Sequence, residues 1–176
     1  MVVGFVFLIV VRYGTAINEG YDATQIPSYG PESRGGTSYA DVHVARDEVL
    51  SPGSPKPHVL LAFNAPSLNK FGPDVQENGV VVYDSSVITE MPEFNPGVKV
   101  VGIPASEIAV HLGKPVVKNV VAMGALQEAT GLLHEESMLT AIRTSLAHKC
   151  ALIPVNEEAF SWGVKAVREG ITEFKD

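Results

Sequence analysis

Between two β-rich runs the chain carries the string PSYGPESRGG, residues 27–36. Tyr29, Glu32 and Arg34 place a phenol, a carboxylate and a guanidinium close together in sequence. Pro27, Gly30, Pro31, Gly35 and Gly36 set the backbone around them. A guanidinium is a planar fork suited to a carboxylate or phosphate. The glycines permit positive φ and close approach of a ligand or another chain, and the prolines fix φ and remove donors. Such a group recognises a partner; it holds no nucleophile and no metal-ligand set. The alternative is a rigid turn with a Glu32–Arg34 surface pair, and such pairs contribute little. The residues alone leave both open, although rigid loops carried on a sheet are where function concentrates.

Other strings offer chemistry and then withdraw it. AFSWG, residues 159–163, is one residue away from the G-x-S-x-G elbow that would make Ser161 a nucleophile. That elbow needs a strand, a strained turn and a helix. Here Ala159, Trp162, Ala166 and Val167 share a helical face, so Ser161 reads as part of a helix. HEESM begins like a zinc-protease motif at His134, but Met138 stands where the second histidine is needed. His43, His58, His111 and His148 lack ligand spacing, so no metal site is expected. The phosphate loop G-x-x-x-x-G-K-[ST] and the dinucleotide string G-x-G-x-x-G are both absent. Cys150, in KCALIP, is read as buried apolar filler rather than a nucleophile.

The elements that must hold the loop follow from periodicity. DATQIP reads as a strand before it, and TSYADVHVA alternates with period two after it. SPGSPKP, residues 51–57, is a turn-rich connector. HVLLAF (58–63), GVVVYDSS (79–86) and VKVVGIP (98–104) are continuous apolar runs, as expected of strands covered on both faces. NAPSLNKF supplies a cap and a short helix with Pro66 near its start. Further helices are predicted over 105–113, 116–131, 135–149 and 156–171, the later ones opening near acidic residues. The opening VVGFVFLIVVRYG predicts a buried helix over 3–19, closed at Gly20. Only eleven residues precede Arg12, too few for a membrane span and without the positive start of a signal peptide. Strands alternating with helices predict a three-layer α/β/α sandwich with a mainly parallel sheet and a helical C-terminal third.

Composition narrows the function classes. The 176 residues suit one domain, 1–176, and 45% hydrophobic against 19% charged residues describes a soluble globular chain. With a net charge of −7 and 13 Lys and Arg scattered along the chain, no basic patch for nucleic acid is expected. One cysteine forms no internal disulfide and cannot hold an iron–sulfur cluster, which takes four thiolates. This points to a reducing, cytoplasmic setting.

The string PSYGPESRGGTSYADVHV resembles the signature of the gamma subunit, or gamma domain, of 2-oxoacid:ferredoxin oxidoreductases. The resemblance continues in VKNVVAMGALQEATG, EESMLTAIRTSL and VNEEAFSWG, in the family's order, and spans residues 14–170. RGGTS is nearer the 2-oxoglutarate and branched-chain types than the pyruvate type. Gamma subunits usually open with a strand and a Gly-x-Gly-Gly-Gln-Gly turn, which would fall at or before residue 4. Only Gly4 could be its remnant, so that strand and turn are expected to be truncated or rewritten.

The resemblance implies a non-catalytic subunit of a complex that oxidatively decarboxylates a 2-oxoacid to acyl-coenzyme A and reduces ferredoxin. Candidate 2-oxoacids are 2-oxoglutarate, a branched-chain 2-oxoacid or pyruvate. It implies no cofactor on this chain; thiamine diphosphate, an iron–sulfur cluster and coenzyme A would reside elsewhere in the complex. The implied partners are an alpha subunit that binds the 2-oxoacid, a thiamine-binding beta subunit and a ferredoxin-like delta subunit, with no nucleic acid and no membrane. Tyr29, Gly30, Pro31, Glu32, Arg34, Gly35 and Gly36 would form a loop at a subunit interface or near coenzyme A, and no residue would be catalytic. The alternatives are an indolepyruvate oxidoreductase-type subunit, a free-standing nucleotide- or coenzyme A-binding module, and a hydrolase using Ser161.

Overall fold

The computed structural model describes residues 19–28, 39–47 and 56–174. Strands β1 (Asp22–Ser28) and β2 (Tyr39–Ala45) form an antiparallel ribbon in which Ala23 lies opposite Val44 and Ser28 opposite Tyr39. A separate sheet contains β3 (Val59–Ala62), β4 (Val80–Asp84) and β5 (Lys99–Ile103) in the order β3-β4-β5, with both pairs parallel. Parallel neighbours need crossovers. The first is α1 (Ala65–Phe71), started by Asn64, whose side chain accepts the Ser67 N–H at 2.8 Å, with proline in its first turn. The cap and the proline are the ones the sequence predicts.

The remaining helices are α2 (Ala105–His111), α3 (Lys118–Thr130), α4 (Glu135–Ser145) and α5 (Ile153–Glu169). Successive residues of β4 point to opposite faces. Val82 therefore joins Ile103, Ile108, Met123 and Phe160 in the larger core, while Val81 joins Ala62, Leu68, Val75 and Ile88 in a smaller one. Helices thus cover both faces of the sheet, which is the predicted α/β/α layering. Helix α3 is buried at every position from Val120 to Leu126. It ends at Gly131 and α5 ends at Gly170, at φ of 61° and 66°. That left-handed backbone is open to glycine at little cost.

Four local expectations need correction. Of the three apolar runs, only β4 is largely buried; β3 and β5 flank it, and Lys99 and Val100 of β5 are exposed. Helix α4 stops at Ser145 rather than continuing to Lys149: Leu146 leaves the helical backbone at φ −102° and ψ 11°, and a short 3-10 segment, Ala147–Leu152, follows. Helix α5 begins at Ile153, three residues before the predicted start, with proline in its first turn and no acidic residue there. A proline suits that turn because its missing N–H would have no helical partner. Cys150 is exposed, not buried, and its thiol donates to the Ala147 carbonyl at 3.1 Å. The helix predicted over 3–19 lies outside the described residues apart from Glu19, as does most of the connector 51–57.

Candidate functional site

Tyr29, Gly30, Pro31, Glu32, Arg34, Gly35 and Gly36 lie outside the described residues. The frame that carries them does not. Residues 29–38 join Ser28 to Tyr39, which face one another at the end of the β1–β2 ladder. Tyr39 anchors that end: its ring lies 5.0 Å from the Phe71 ring at 57°. Lys70 Nζ sits 5.5 Å from the Tyr39 centroid and 5.0 Å from that of Phe71. A two-stranded ribbon is marginal in water without further packing. Here Ala23 is buried in the larger core and Tyr39 rests on the end of α1. Halfway along the ribbon, Thr24 faces His43, whose Nε2 is buried without a hydrogen-bond partner among the described residues.

A second cluster stands at the C-terminal ends of the parallel strands, where open α/β sheets bind ligands. Asp84 closes β4 and is buried. Its Oδ2 accepts the Ser106 hydroxyl at 2.6 Å, and Oδ1 accepts the N–H groups of Ser86 and Ser106 at 3.2 and 3.3 Å. Ser86 Oγ in turn accepts the Glu107 N–H at 3.3 Å. Pro104 precedes α2 and caps it with no side-chain hydrogen bond. Asp84 therefore does from the neighbouring strand what a cap residue does within a helix. The arrangement is positional: the carboxylate is occupied and Ser106 faces no base among the described partners.

Ser161 is exposed in the middle of α5. It borders a surface depression of about 230 Å³ lined by Glu135, Val164, Lys165, Arg168 and Glu169, with no histidine. The strand–turn–helix context of a nucleophile is absent there, which removes the hydrolase reading. His134 is the extended cap residue before α4, and its N–H donates to Glu19 Oε1 at 2.9 Å. Among the described residues, no group of three or more His, Cys, Asp or Glu could hold a metal ion. No described helix is long and apolar enough to cross a membrane.

The helical strings that sequence reading singled out serve packing. A Cβ on Gly124 of α3 would overlap the Phe160 carbonyl, and one on Gly163 of α5 would overlap the Val121 carbonyl. Outside that crossing, arginines tie the helices together. Arg168 of α5 reaches Glu128 of α3 at 2.9 Å and Glu135 of α4 at 3.8 Å. Arg143 of α4 bonds Glu157 of α5 at 2.5 Å and Glu136 at 2.8 Å. These hydrogen bonds to carboxylates raise both guanidinium pKa values above the usual arginine range.

A family profile described as pyruvate ferredoxin/flavodoxin oxidoreductase matches residues 6–166. The chain is 39% identical over 159 residues to the ketoisovalerate oxidoreductase subunit VorA of Methanothermobacter thermautotrophicus, covering 89% of this chain and 32% of that protein. It thus spans about a third of that relative's length. It is 32% identical over 164 residues to the 2-oxoglutarate synthase subunit KorC of Methanocaldococcus jannaschii, covering 92% of this chain and 86% of that one. The keto/oxoacid ferredoxin oxidoreductase gamma subunit of Geobacter sulfurreducens PCA superposes with a TM-score of 0.81 at 27% identity, over 94% of this chain and 92% of that chain.

Proposed function

The chain belongs to the pyruvate ferredoxin/flavodoxin oxidoreductase family, and from that premise we propose that it is the gamma-type subunit of a 2-oxoacid:ferredoxin oxidoreductase. In the assembled complex a 2-oxoacid is decarboxylated, the acyl group passes to coenzyme A, and electrons pass to ferredoxin. This chain supplies structure and contacts rather than redox chemistry. One observation carries the reading: almost the whole chain follows the fold of a gamma subunit. The residues present agree with it. A single exposed cysteine cannot ligate an iron–sulfur cluster. AFSWG, read from the sequence as helical, lies on a helix, and HEESM, which lacks the second histidine of a zinc motif, begins at a helix cap.

Thiamine diphosphate and the cluster then belong to partner subunits, corresponding to the alpha, beta and ferredoxin-like delta subunits of such a complex, in the cytoplasm. Residues 1–176 act as one domain. The loop of Tyr29, Glu32 and Arg34, on the ribbon braced by Tyr39 and Phe71, meets a partner subunit near coenzyme A. The greater identity to the ketoisovalerate relative supports a reading with branched-chain 2-oxoacids ahead of 2-oxoglutarate.

The test is affinity capture of the tagged chain from a native extract. The captured complex and the purified chain are then assayed with coenzyme A and methyl viologen against ketoisovalerate, 2-oxoglutarate, pyruvate and indolepyruvate. The complex reduces the dye with one of the first two, and the chain alone does not. Turnover by the chain alone, or capture of the chain with no thiamine-dependent activity, overturns the assignment.

A further inference from the structure

Beyond α5 the chain turns back onto the sheet. Gly170 closes the helix, and the Ile171 N–H returns to the Ala166 carbonyl at 2.8 Å. Ser85, one residue past β4, donates its hydroxyl to the Thr172 carbonyl at 2.6 Å. The Phe174 N–H donates to Glu107 Oε2, in the first turn of α2, at 3.0 Å. The Phe174 ring lies 4.9 Å from that of His111, tilted, and 5.3 Å from that of Trp162, edge to face. Four residues therefore tie the exit of β4, the first and last turns of α2, and the middle of α5.

We propose that Ile171–Phe174 is a strap, hinged at Gly170, that latches the C-terminal crest of the parallel sheet and opens without unfolding the rest of the domain. None of the four residues is fully buried: Thr172 and Glu173 are exposed, and Ile171 and Phe174 are half-buried against the larger core. Elements held by few buried contacts open locally at far less than the global cost. The segment has one glycine pivot, at positive φ, where the backbone can turn at little cost. Opening uncovers the half-buried Ser85 and Trp162 and ends the strap's contacts with Glu107 and His111, which are already exposed, at the end of the sheet where ligands of open parallel sheets approach. It also leaves α2, already without a cap side chain of its own, held at its first turn by Asp84 and Ser86. The strap is a device of this chain's own fold and stands independently of the oxidoreductase assignment.

The test uses the full 176-residue chain and its Ser85→Ala and Phe174→Ala variants. Trp162, the single tryptophan, reports through acrylamide quenching. Amide hydrogen exchange is followed over residues 105–111 and 118–130. Local opening predicts that exchange over 105–111 accelerates on the order of tenfold in Phe174→Ala and less in Ser85→Ala, while 118–130 keeps its protection. Trp162 quenching rises in both variants. Unchanged exchange over 105–111 in both variants overturns the proposal, because the segment then merely drapes over the surface. Equal acceleration over 118–130 also overturns it, because opening is then global.

Discussion

Gly124 and Gly163 meet where α3 crosses α5, each bare Cα set against a carbonyl of the opposite helix. Alanine at either site would gain about 1 kcal/mol of helix propensity. It would also drive a methyl group into backbone that cannot rotate away, and overpacking of that kind costs roughly 1–3 kcal/mol or more. Sterics win. Gly163→Ala and Gly124→Ala should each lower the urea midpoint, with a net loss of stability of about 1–2 kcal/mol. A midpoint at or above wild type would show that the helices separate freely.

Asp84 gathers three donors in a buried site. Asp84→Ala strands the Ser106 hydroxyl and two N–H groups, at about 1–3 kcal/mol for each group left unsatisfied. Asp84→Asn keeps one oxygen for the two N–H groups and should cost about 1 kcal/mol. Denaturant unfolding of the two variants should therefore separate them clearly. Equal losses would mean that charge, rather than hydrogen bonding, holds α2.

The arginine clamps should leave no mark on the pH dependence of stability near neutral pH. The folded-state pKa values of Arg143 and Arg168 are raised by their carboxylate partners. A raised pKa contributes stability that is fully present below the unfolded value and lost as pH rises through the folded one. That window lies above the ordinary arginine range. Melting temperatures of wild type and Arg143→Gln measured from pH 6 to pH 9 should therefore run parallel. A difference that changes across this interval would implicate another group.

For the loop, Arg34→Ala distinguishes an interface from a turn. An exposed Glu32–Arg34 pair contributes only about 0–1 kcal/mol to folding. Truncating an arginine whose partner is buried at an interface costs on the order of 2–5 kcal/mol. The lone chain should melt nearly as before, while the reconstituted complex loses assembly or 2-oxoacid-dependent ferredoxin reduction. A sharp drop in melting temperature with full complex activity would make the loop structural.

Much of the fold was legible because local chemistry and tertiary position agree. Asn64 and Pro66 announce α1, Gly131 stops α3, and the apolar run at 80–84 is the buried central strand. The failures arise where a tertiary partner decides. Lys99 and Val100 sit in an apolar run yet are exposed, because no described strand lies beyond β5. Cys150 has apolar neighbours in sequence, but it lies in the short 3-10 segment Ala147–Leu152, none of which is buried. Asp84 carries no signal as a cap, since the helix it serves begins twenty-one residues later, at Ala105. The glycines of AMGALQEATG and AFSWG were visible as strings, but only their crossing gives the reason for them. The loop at 29–36 was legible as a constrained, charged motif. Its contacts were not, because they depend on what lies opposite it.

Through its middle helix α3 offers no polar face: seven consecutive residues, Val120 to Leu126, are buried. Most helices can wait on a nascent core with one side in water. This one cannot, since either side left wet would expose apolar surface, and its glycine contact leaves no gap for late insertion. In kinetic terms α3 must be in place at the folding barrier together with β4 and α5. Substitutions along it should therefore slow folding more than they speed unfolding, whereas those in the strap or the surface clamps should do the reverse.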